Sequence, residues 1–339
     1  MDISPEKPIY LDANLFVTAP NSSKTNNTSN NNRFLIKIYP VMDGKYGYFR
    51  QIALIPFSNK KPLGITIGRN EVTEILGWDA KNQAIYYIAA PENRPGQRHL
   101  FKIVLEFEMF DSFSNDINIR PRPIPVCLSC DNTITTYDQN STQIINSFLK
   151  PQENHTDNIF NIIGKSSAAH ETQFIPNNCL YNKVYLSLSH SYYVLQCLGP
   201  DSPSTYLVDT LLAKKVYIID SGAELREFVK SLALPQIRTF SVEIKNGFHA
   251  QVRMFLPPGA KEDEEVSFPL VLHIDSAPGS QLVSEEFKVD WNWYLASQKS
   301  FIVAQIDGRG SGFQGEAFKS KIKGNISVVD VEDQLTVLT

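Results

Sequence analysis

The 339-residue sequence has few cysteines, no strong excess of charge and no long hydrophobic run. No apolar stretch reaches about 18 residues, the length that a membrane-spanning helix needs, and the first residues lack the pattern of a signal peptide. The formal net charge of -4 gives no electrostatic basis for binding nucleic acid or an anionic membrane. Four cysteines are a modest number for this length, so their arrangement is more informative than their count.

The sequence also lacks the G-x-S-x-G motif in which many hydrolases present a nucleophilic serine. Ser311 comes closest, but Arg309 stands two residues before it where the motif needs glycine. The six histidines are scattered, and none lies at metal-ligand spacing from another histidine or a cysteine. His273 ends an apolar run and is interpreted as a structural residue. We therefore expect no metal and no catalytic residue in the chain as given.

The segment Gly310–Gly315 fits G-x-G-x-x-G and follows a predicted strand, which is the pattern of a dinucleotide-binding loop. That site needs a helix opening on the glycines and an acidic residue after a second strand. Here the predicted helix is short and no such strand follows. The glycines are better explained by a tight crossing after a buried strand, and we expect no cofactor.

Residues 1–234 contain short strands separated by turn signals, which predicts an all-β sandwich or propeller. Periodicity alone does not distinguish the two. The segments Asn21–Asn32 and Asp111–Asn178, the latter apart from Cys127–Cys130, are rich in Asn, Ser and Thr, and they are interpreted as loops that bury little apolar surface. Pro235 marks the predicted domain boundary. Residues 235–339 are predicted to begin with a hairpin that turns at Asn246–Gly247 and to continue with alternating strands and helices.

Four segments, in this order, resemble the dipeptidyl peptidase IV family of the prolyl oligopeptidase clan: Cys127–Cys130, Gln196–Pro200, Phe301–Gly315 and Val331–Gln334. The resemblance extends from about Lys45 to the last residue. It implies a partial β-propeller over residues 1–234, followed over 235–339 by the N-terminal part of an α/β-hydrolase domain, truncated before its nucleophile, triad acid and histidine.

The four cysteines form two local groups. A zinc site at Cys127 and Cys130 would need a second nearby pair, whereas Cys179 and Cys197 flank two strand-like runs that a disulfide could close. The resemblance implies the pairs Cys127–Cys130 and Cys179–Cys197, which need an oxidising compartment. Six glycosylation sequons fit that compartment. They begin at Asn21, Asn26, Asn27, Asn140, Asn154 and Asn325.

Asp275 is the residue on which the functional interpretation depends. Aligning on Pro278–Gln281 places Asp275 where active members of the family carry a tyrosine whose hydroxyl helps to form the oxyanion hole. An ionised aspartate accepts hydrogen bonds and cannot donate one, although a protonated one could. Without the resemblance, Asp275 reads as an ordinary loop residue capping a turn. With it, Asp275 and Phe313 match the non-catalytic branch, the dipeptidyl aminopeptidase-like proteins.

The leading hypothesis is a non-enzymatic ectodomain of a plasma-membrane protein with a single type II span, absent from this chain, which we read as a fragment. The resemblance implies a homodimer and an auxiliary subunit of A-type (Shal-type) voltage-gated potassium channels. The alternative is an active serine dipeptidyl peptidase that acts on peptides beginning X-Pro or X-Ala. A secreted binding propeller without a channel is a third reading.

Overall fold

The computed structural model describes residues 15–18, 33–56, 61–105, 123–130, 179–261 and 266–339. Most of the two Asn-rich segments, with the sequons at Asn21, Asn26, Asn27, Asn140 and Asn154, lies outside the described residues. None of the helices within those ranges has both the length and the apolar character that crossing a bilayer requires.

Twelve strands form three four-stranded antiparallel sheets, in each of which neighbouring strands follow one another along the chain. The strands are β1 (Leu15–Thr18), β2 (Arg33–Met42), β3 (Tyr48–Pro56), β4 (Leu63–Gly64), β5 (Glu71–Asp79), β6 (Ala84–Ala90), β7 (His99–Val104), β8 (Val126–Cys127), β9 (Tyr181–Leu186), β10 (Tyr192–Gly199), β11 (Ser204–Asp209) and β12 (Lys214–Asp220). Three such sheets packed in series are blades of a partial propeller.

Strand β6 lies at the centre of the stacked sheets, and all seven of its residues are buried. Side chains alternate between the two faces of a strand, so Ile85 and Tyr87 pack toward the first sheet whereas Tyr86 and Ile88 pack toward the third. This placement explains why the sequence of β6 is a continuous apolar run instead of an alternating one.

The remaining strands form one mixed sheet in the order β13–β14–β16–β15. Its strands are β13 (Gln236–Ile244), β14 (Phe248–Leu256), β15 (Leu270–His273) and β16 (Ile302–Asp307). The four α-helices of the described chain are α1 (Ala223–Lys230), α2 (Trp291–Lys299), α3 (Glu316–Lys319) and α4 (Val329–Leu338). β15 and β16 are parallel, and α2 connects them. This is the opening βαβ unit of an α/β-hydrolase domain.

Helices cover both faces of this sheet. Trp293 and Ala296 of α2 pack against Phe255 and Val303, whereas Val337 of α4 packs in a cluster with Ile306. Val303 and Ile306 are three positions apart on one strand, so their side chains point to opposite faces. The sheet is therefore the middle of three layers.

Local sequence signals place most element boundaries within a few residues. Asn246 and Gly247 both have positive φ, of 65° and 71°, as the predicted hairpin turn requires. The sequence predicts a helix from about Phe287 to Ser297. Helix α2 begins four residues later than Phe287, because the Asp290 carboxylate accepts the Asn292 N–H and caps the helix there. The sequence after Asp220 predicts a short helix with Ser221 as its N-cap. Helix α1 starts after Gly222, which is the N-cap, so this prediction was wrong by one residue.

The propeller blades contact the hydrolase sheet through backbone and buried carboxyl groups. The Glu71 carboxylate of β5 accepts the Gly315 N–H at 2.8 Å, and the Phe287 N–H donates to the Leu198 carbonyl at 2.7 Å. A Cβ atom on Gly315 would lie 2.8 Å from the Phe49 ring, so glycine is required for this close approach. The two parts are thus joined by specific polar contacts.

The two disulfides should differ in how much they stabilise the fold. Cys179 and Cys197 are 18 positions apart and Cys127 and Cys130 only three, and a longer closed loop removes more entropy from the unfolded chain. We expect replacement of Cys179 and Cys197 by alanine to lower the free energy of unfolding by about 3 kcal/mol, and replacement of Cys127 and Cys130 to lower it by about 2 kcal/mol. Urea unfolding of the two double variants tests the order, and a larger loss from the Cys127–Cys130 pair would contradict it.

Glu71 should make stability depend on pH. Burial raises the pKa of Glu71 from 4.5 to about 7, and Arg50 and the Gly315 N–H only partly offset this. The folded protein therefore keeps a proton that the unfolded chain loses, and stability falls as pH rises from 4.5 to 7. We expect Glu71→Gln to match the parent at pH 5 and to be more stable at pH 8, by up to about 3 kcal/mol.

Urea unfolding at the two pH values measures this difference. Glu74→Gln is the matched control, because Glu74 lies on the same strand but is exposed. Equal stability of Glu71→Gln and the parent at pH 8 would show that the Glu71 carboxylate is not destabilised by burial.

Candidate functional site

Two loops meet at one edge of the mixed sheet. Residues 274–283 follow β15 and residues 308–315 follow β16, and the two strands are parallel. Loops at the carboxyl ends of parallel strands lie on the same edge, which is where ligands bind in open α/β sheets. We call this pair of loops the edge site.

Backbone hydrogen bonds join the two loops directly. The Gly279 N–H donates to the Gly310 carbonyl at 2.8 Å, and the Gly312 N–H donates to the Ser280 carbonyl at 2.9 Å. A Cβ atom on Gly312 would lie 2.6 Å from the Gly279 carbonyl oxygen, and Gly310 has a φ of 104°. The glycines that match the dinucleotide-binding pattern therefore serve this close contact. Helix α3, which follows them, has only four residues.

Asp307, the last residue of β16, holds the first loop of the edge site through hydrogen bonds to its backbone. Its carboxylate, 4% exposed, accepts the N–H groups of Leu282 and Val283 at 2.9 Å each, one on each oxygen. Burial raises the pKa of Asp307 to about 6, partly offset by these two bonds, and the charge of Asp275 adds to the rise. Asp307 thus fixes the end of the loop that carries Asp275.

Asp275 lies exposed at the start of this loop. Its carboxylate accepts the Ala277 N–H at 3.0 Å, and its carbonyl accepts the Ser280 hydroxyl at 3.3 Å. The side chain therefore caps a turn, as predicted for an ordinary loop residue. The same geometry leaves Asp275 a hydrogen-bond acceptor at the edge where the resemblance places the tyrosine hydroxyl of active members.

A buried ion pair ties the glycine loop to helix α4. The Arg309 guanidinium donates to both oxygens of Asp333, at 2.6–3.0 Å, and to Glu332 at 2.8 Å, while the Arg309 N–H donates to Asp333 at 2.7 Å. Asp333 is fully buried. Such a bidentate pair stabilises the contact and also fixes the relative orientation of the two side chains. Both residues lie in segments that carry the family resemblance, but their pairing could not be predicted from local sequence, because the partners are 24 positions apart.

The remaining predicted site residues lie away from the edge site. The structure forms both disulfides that the resemblance implies, Cys127–Cys130 and Cys179–Cys197. His99 lies beside the first pair, with its ring nitrogens hydrogen-bonded to Ser129 and Gln97. Spacing could not reveal this neighbour, which comes from an adjacent strand. The two sulfurs bond to each other, so they do not act as thiolate ligands.

Two further predicted residues have clear positions. Asn325 begins the one sequon that lies within the described residues. It is exposed in the segment before α4 and is accessible to a glycan. His273 hydrogen-bonds to the Gln305 side chain at 3.2 Å, within the sheet. That contact agrees with the structural role predicted for His273.

Asp307→Asn should loosen the edge site. An amide offers one acceptor oxygen, so its NH₂ group would face the N–H of Leu282 or Val283 and leave a buried donor unpaired. Removal of the charge also relieves the desolvation that raises the pKa of Asp307 to about 6, so the informative readout is local and not global. We expect the unpaired amide of Leu282 or Val283 to exchange its hydrogen about tenfold faster than in the parent. Asp220→Asn is the control, because exposed Asp220 accepts one N–H, from Gly222, and an amide oxygen can replace it. Hydrogen exchange followed by mass spectrometry compares the peptides that contain Leu282 and Val283 in the two variants, and unchanged exchange in Asp307→Asn would contradict the role given to Asp307.

Comparison with known proteins agrees with this geometry. The family model described as "Dipeptidyl peptidase IV (DPP IV) N-terminal region" matches residues 10–155, and that described as "Prolyl oligopeptidase family" matches residues 287–339. The first match covers the strands of the first two propeller sheets, and the second covers the β16 half of the hydrolase sheet. The two matches thus lie in the order in which the two architectures occur in the chain.

Curated relatives cover the chain in part. Prolyl endopeptidase FAP of Mus musculus is 32% identical over 160 residues, which are 47% of this chain and 21% of that protein. Venom dipeptidyl peptidase 4 of Apis mellifera is 25% identical over 273 residues, which are 80% of this chain and 28% of that protein. The chain thus spans under a third of the length of these two relatives.

Solved structures agree in fold. A dipeptidyl peptidase 4 from Porphyromonas gingivalis superimposes with a TM-score of 0.60 at 18% identity, over 89% of this chain and 33% of that one. A putative dipeptidyl aminopeptidase IV from Bacteroides ovatus gives 0.58 at 16% identity, over 90% and 36%. With the two matching family models and the relatives, these observations show that the chain belongs to the dipeptidyl peptidase IV family of the prolyl oligopeptidase clan.

Proposed function

We propose that this chain belongs to a non-hydrolytic member of the family, in which the edge site serves recognition instead of peptide cleavage. The observation that carries the proposal is that the Asp275 carboxylate accepts the Ala277 N–H. The resemblance aligns this residue with the tyrosine donor of active members. Loss of one oxyanion donor typically costs about 3–4 kcal/mol of transition-state stabilisation, and a negative charge at that position adds repulsion.

The surrounding contacts support this proposal, because they restrict how far the loop could move to offer another donor. The Asp307 carboxylate fixes Leu282 and Val283, and Gly279 is bonded to Gly310. The loop is therefore held at three positions that follow Asp275.

The finer proposal is an extracellular part of a type II plasma-membrane protein that forms a homodimer and assists A-type (Shal-type) potassium channels. It rests on the resemblance of Asp275, the Pro278–Gln281 run and Phe313 to the non-catalytic branch. The two disulfides and the exposed Asn325 sequon are consistent with an extracellular site.

The second candidate is an active serine dipeptidyl peptidase, and the names of the relatives favour it. Venom dipeptidyl peptidase 4, for example, matches 80% of this chain. In that case Asp275 would have to be tolerated, either without a role or as a protonated donor.

Activity of the protein captured from its natural source with an antibody to this chain separates these candidates. We expect no hydrolysis of a Gly-Pro chromogenic substrate and no labelling by a serine-directed fluorophosphonate. Turnover that the reagent abolishes would overturn the non-hydrolytic proposal. If turnover is found, Asp275→Asn and Asp275→Ala test the donor role, because only the amide donates at every pH.

Co-purification tests the finer proposal independently. A potassium channel of the Shal type should be enriched with the captured protein from a tissue that expresses both. Its absence, together with the absence of turnover, would favour a secreted binding propeller and would contradict the channel assignment.

A further inference from the structure

Arg98 of the propeller lies at the junction with the edge site, and its backbone is held rigidly. It immediately precedes β7, its N–H donates to the Leu180 carbonyl at 2.9 Å, and its own carbonyl accepts both the backbone N–H and the side-chain amide of Asn182. These bonds fix Arg98 between the second and third sheets. The side chain is 7% exposed.

The Arg98 guanidinium reaches the loop that carries Asp275. One terminal nitrogen donates to the carbonyls of Pro95 and Gln97, at 2.7 and 2.6 Å, and the other donates to the Gln281 side-chain oxygen at 2.7 Å. The Gln281 amide nitrogen in turn donates to the Pro95 carbonyl at 2.7 Å. Gln281 is thus held by both of its polar atoms against the propeller.

The same guanidinium contacts the second loop through Phe313. Its central carbon lies 4.1 Å from the centroid of the Phe313 ring, within the range of a cation–π contact. Phe313 has a φ of 62°, a conformation that is uncommon for bulky residues and persists only where the surroundings hold it. The Arg98 contact is one such constraint.

We propose that Arg98 is a positioning residue through which the propeller sets the relative position of the two edge-site loops. It holds the first loop through Gln281 and the second through Phe313. These two residues directly follow Ser280 and Gly312, which form one of the bonds between the loops. This inference rests on the proposed function only in taking the edge site as the functional region. It requires neither catalysis nor its absence.

A lysine cannot replace arginine in this role. The planar guanidinium donates in fixed directions and presents a flat face to a ring, whereas an ammonium is a single, strongly hydrated charge on a flexible stem. Arg98→Lys therefore keeps the charge but loses the simultaneous contacts with the Pro95–Gln97 carbonyls, Gln281 and Phe313. The substitution separates electrostatic attraction from positioning.

Hydrogen exchange of the 339-residue chain, followed by mass spectrometry, tests the proposal without turnover. The reporters are peptides that contain the amides of Gly279 and Gly312, which bridge the loops, and the references are peptides of β6 and β14. We expect Arg98→Lys to accelerate exchange at the reporters at least tenfold, with less than a twofold change at the references. A purely structural role would raise exchange at reporters and references together.

Arg253→Lys is the matched control, because Arg253 is also 7% exposed but stacks on Phe255 of its own strand. It should leave the reporters within twofold of the parent. Gln281→Met covers the case in which Arg98→Lys does not fold, since it removes the bridge at a half-buried position. It should accelerate the Gly279 reporter at least fivefold. Unchanged reporters in the folded variants would overturn the proposal, whatever the activity assays show.

Discussion

The contact on which the edge site depends is the pair of backbone hydrogen bonds between the loops that follow β15 and β16. These bonds form only because glycine at position 312 lets two chains approach where a side chain would collide with the Gly279 carbonyl. Asp307 anchors one loop, and the Arg309–Asp333 pair anchors the other to helix α4. The course of the loop that carries Asp275 therefore depends on residues outside that loop.

Buried charged groups concentrate where the propeller meets the hydrolase sheet. Glu71, Arg98, Asp307 and Arg309 are each almost fully buried, and each accepts or donates at least one hydrogen bond. Burying a charge costs free energy unless it is paired or bonded. These groups thus contribute less to net stability than to a single defined arrangement, because any shifted packing would leave a charge without its partners.

Much of the fold could be predicted from local signals, and much of the edge site could not. The strand content, the Asn246–Gly247 turn and the alternation of strands and helices after Pro235 follow from periodicity and turn chemistry. The choice of a propeller over a sandwich came from the family resemblance, since short strands look alike in both. The roles of Asp307 and Arg98 went unpredicted, because their partners lie 24 or more and 183 positions away along the chain.

The sequence by itself determined the class of each segment and the chemistry at single positions, such as a carboxylate at Asp275 and glycines in the loop after β16. These properties depend on side-chain type and on neighbours a few residues away. Only the tertiary structure decided that His99 lies beside the Cys127–Cys130 disulfide and that a propeller arginine holds both loops of the edge site. Those outcomes depend on which distant segments pack together, and local periodicity carries no record of that packing.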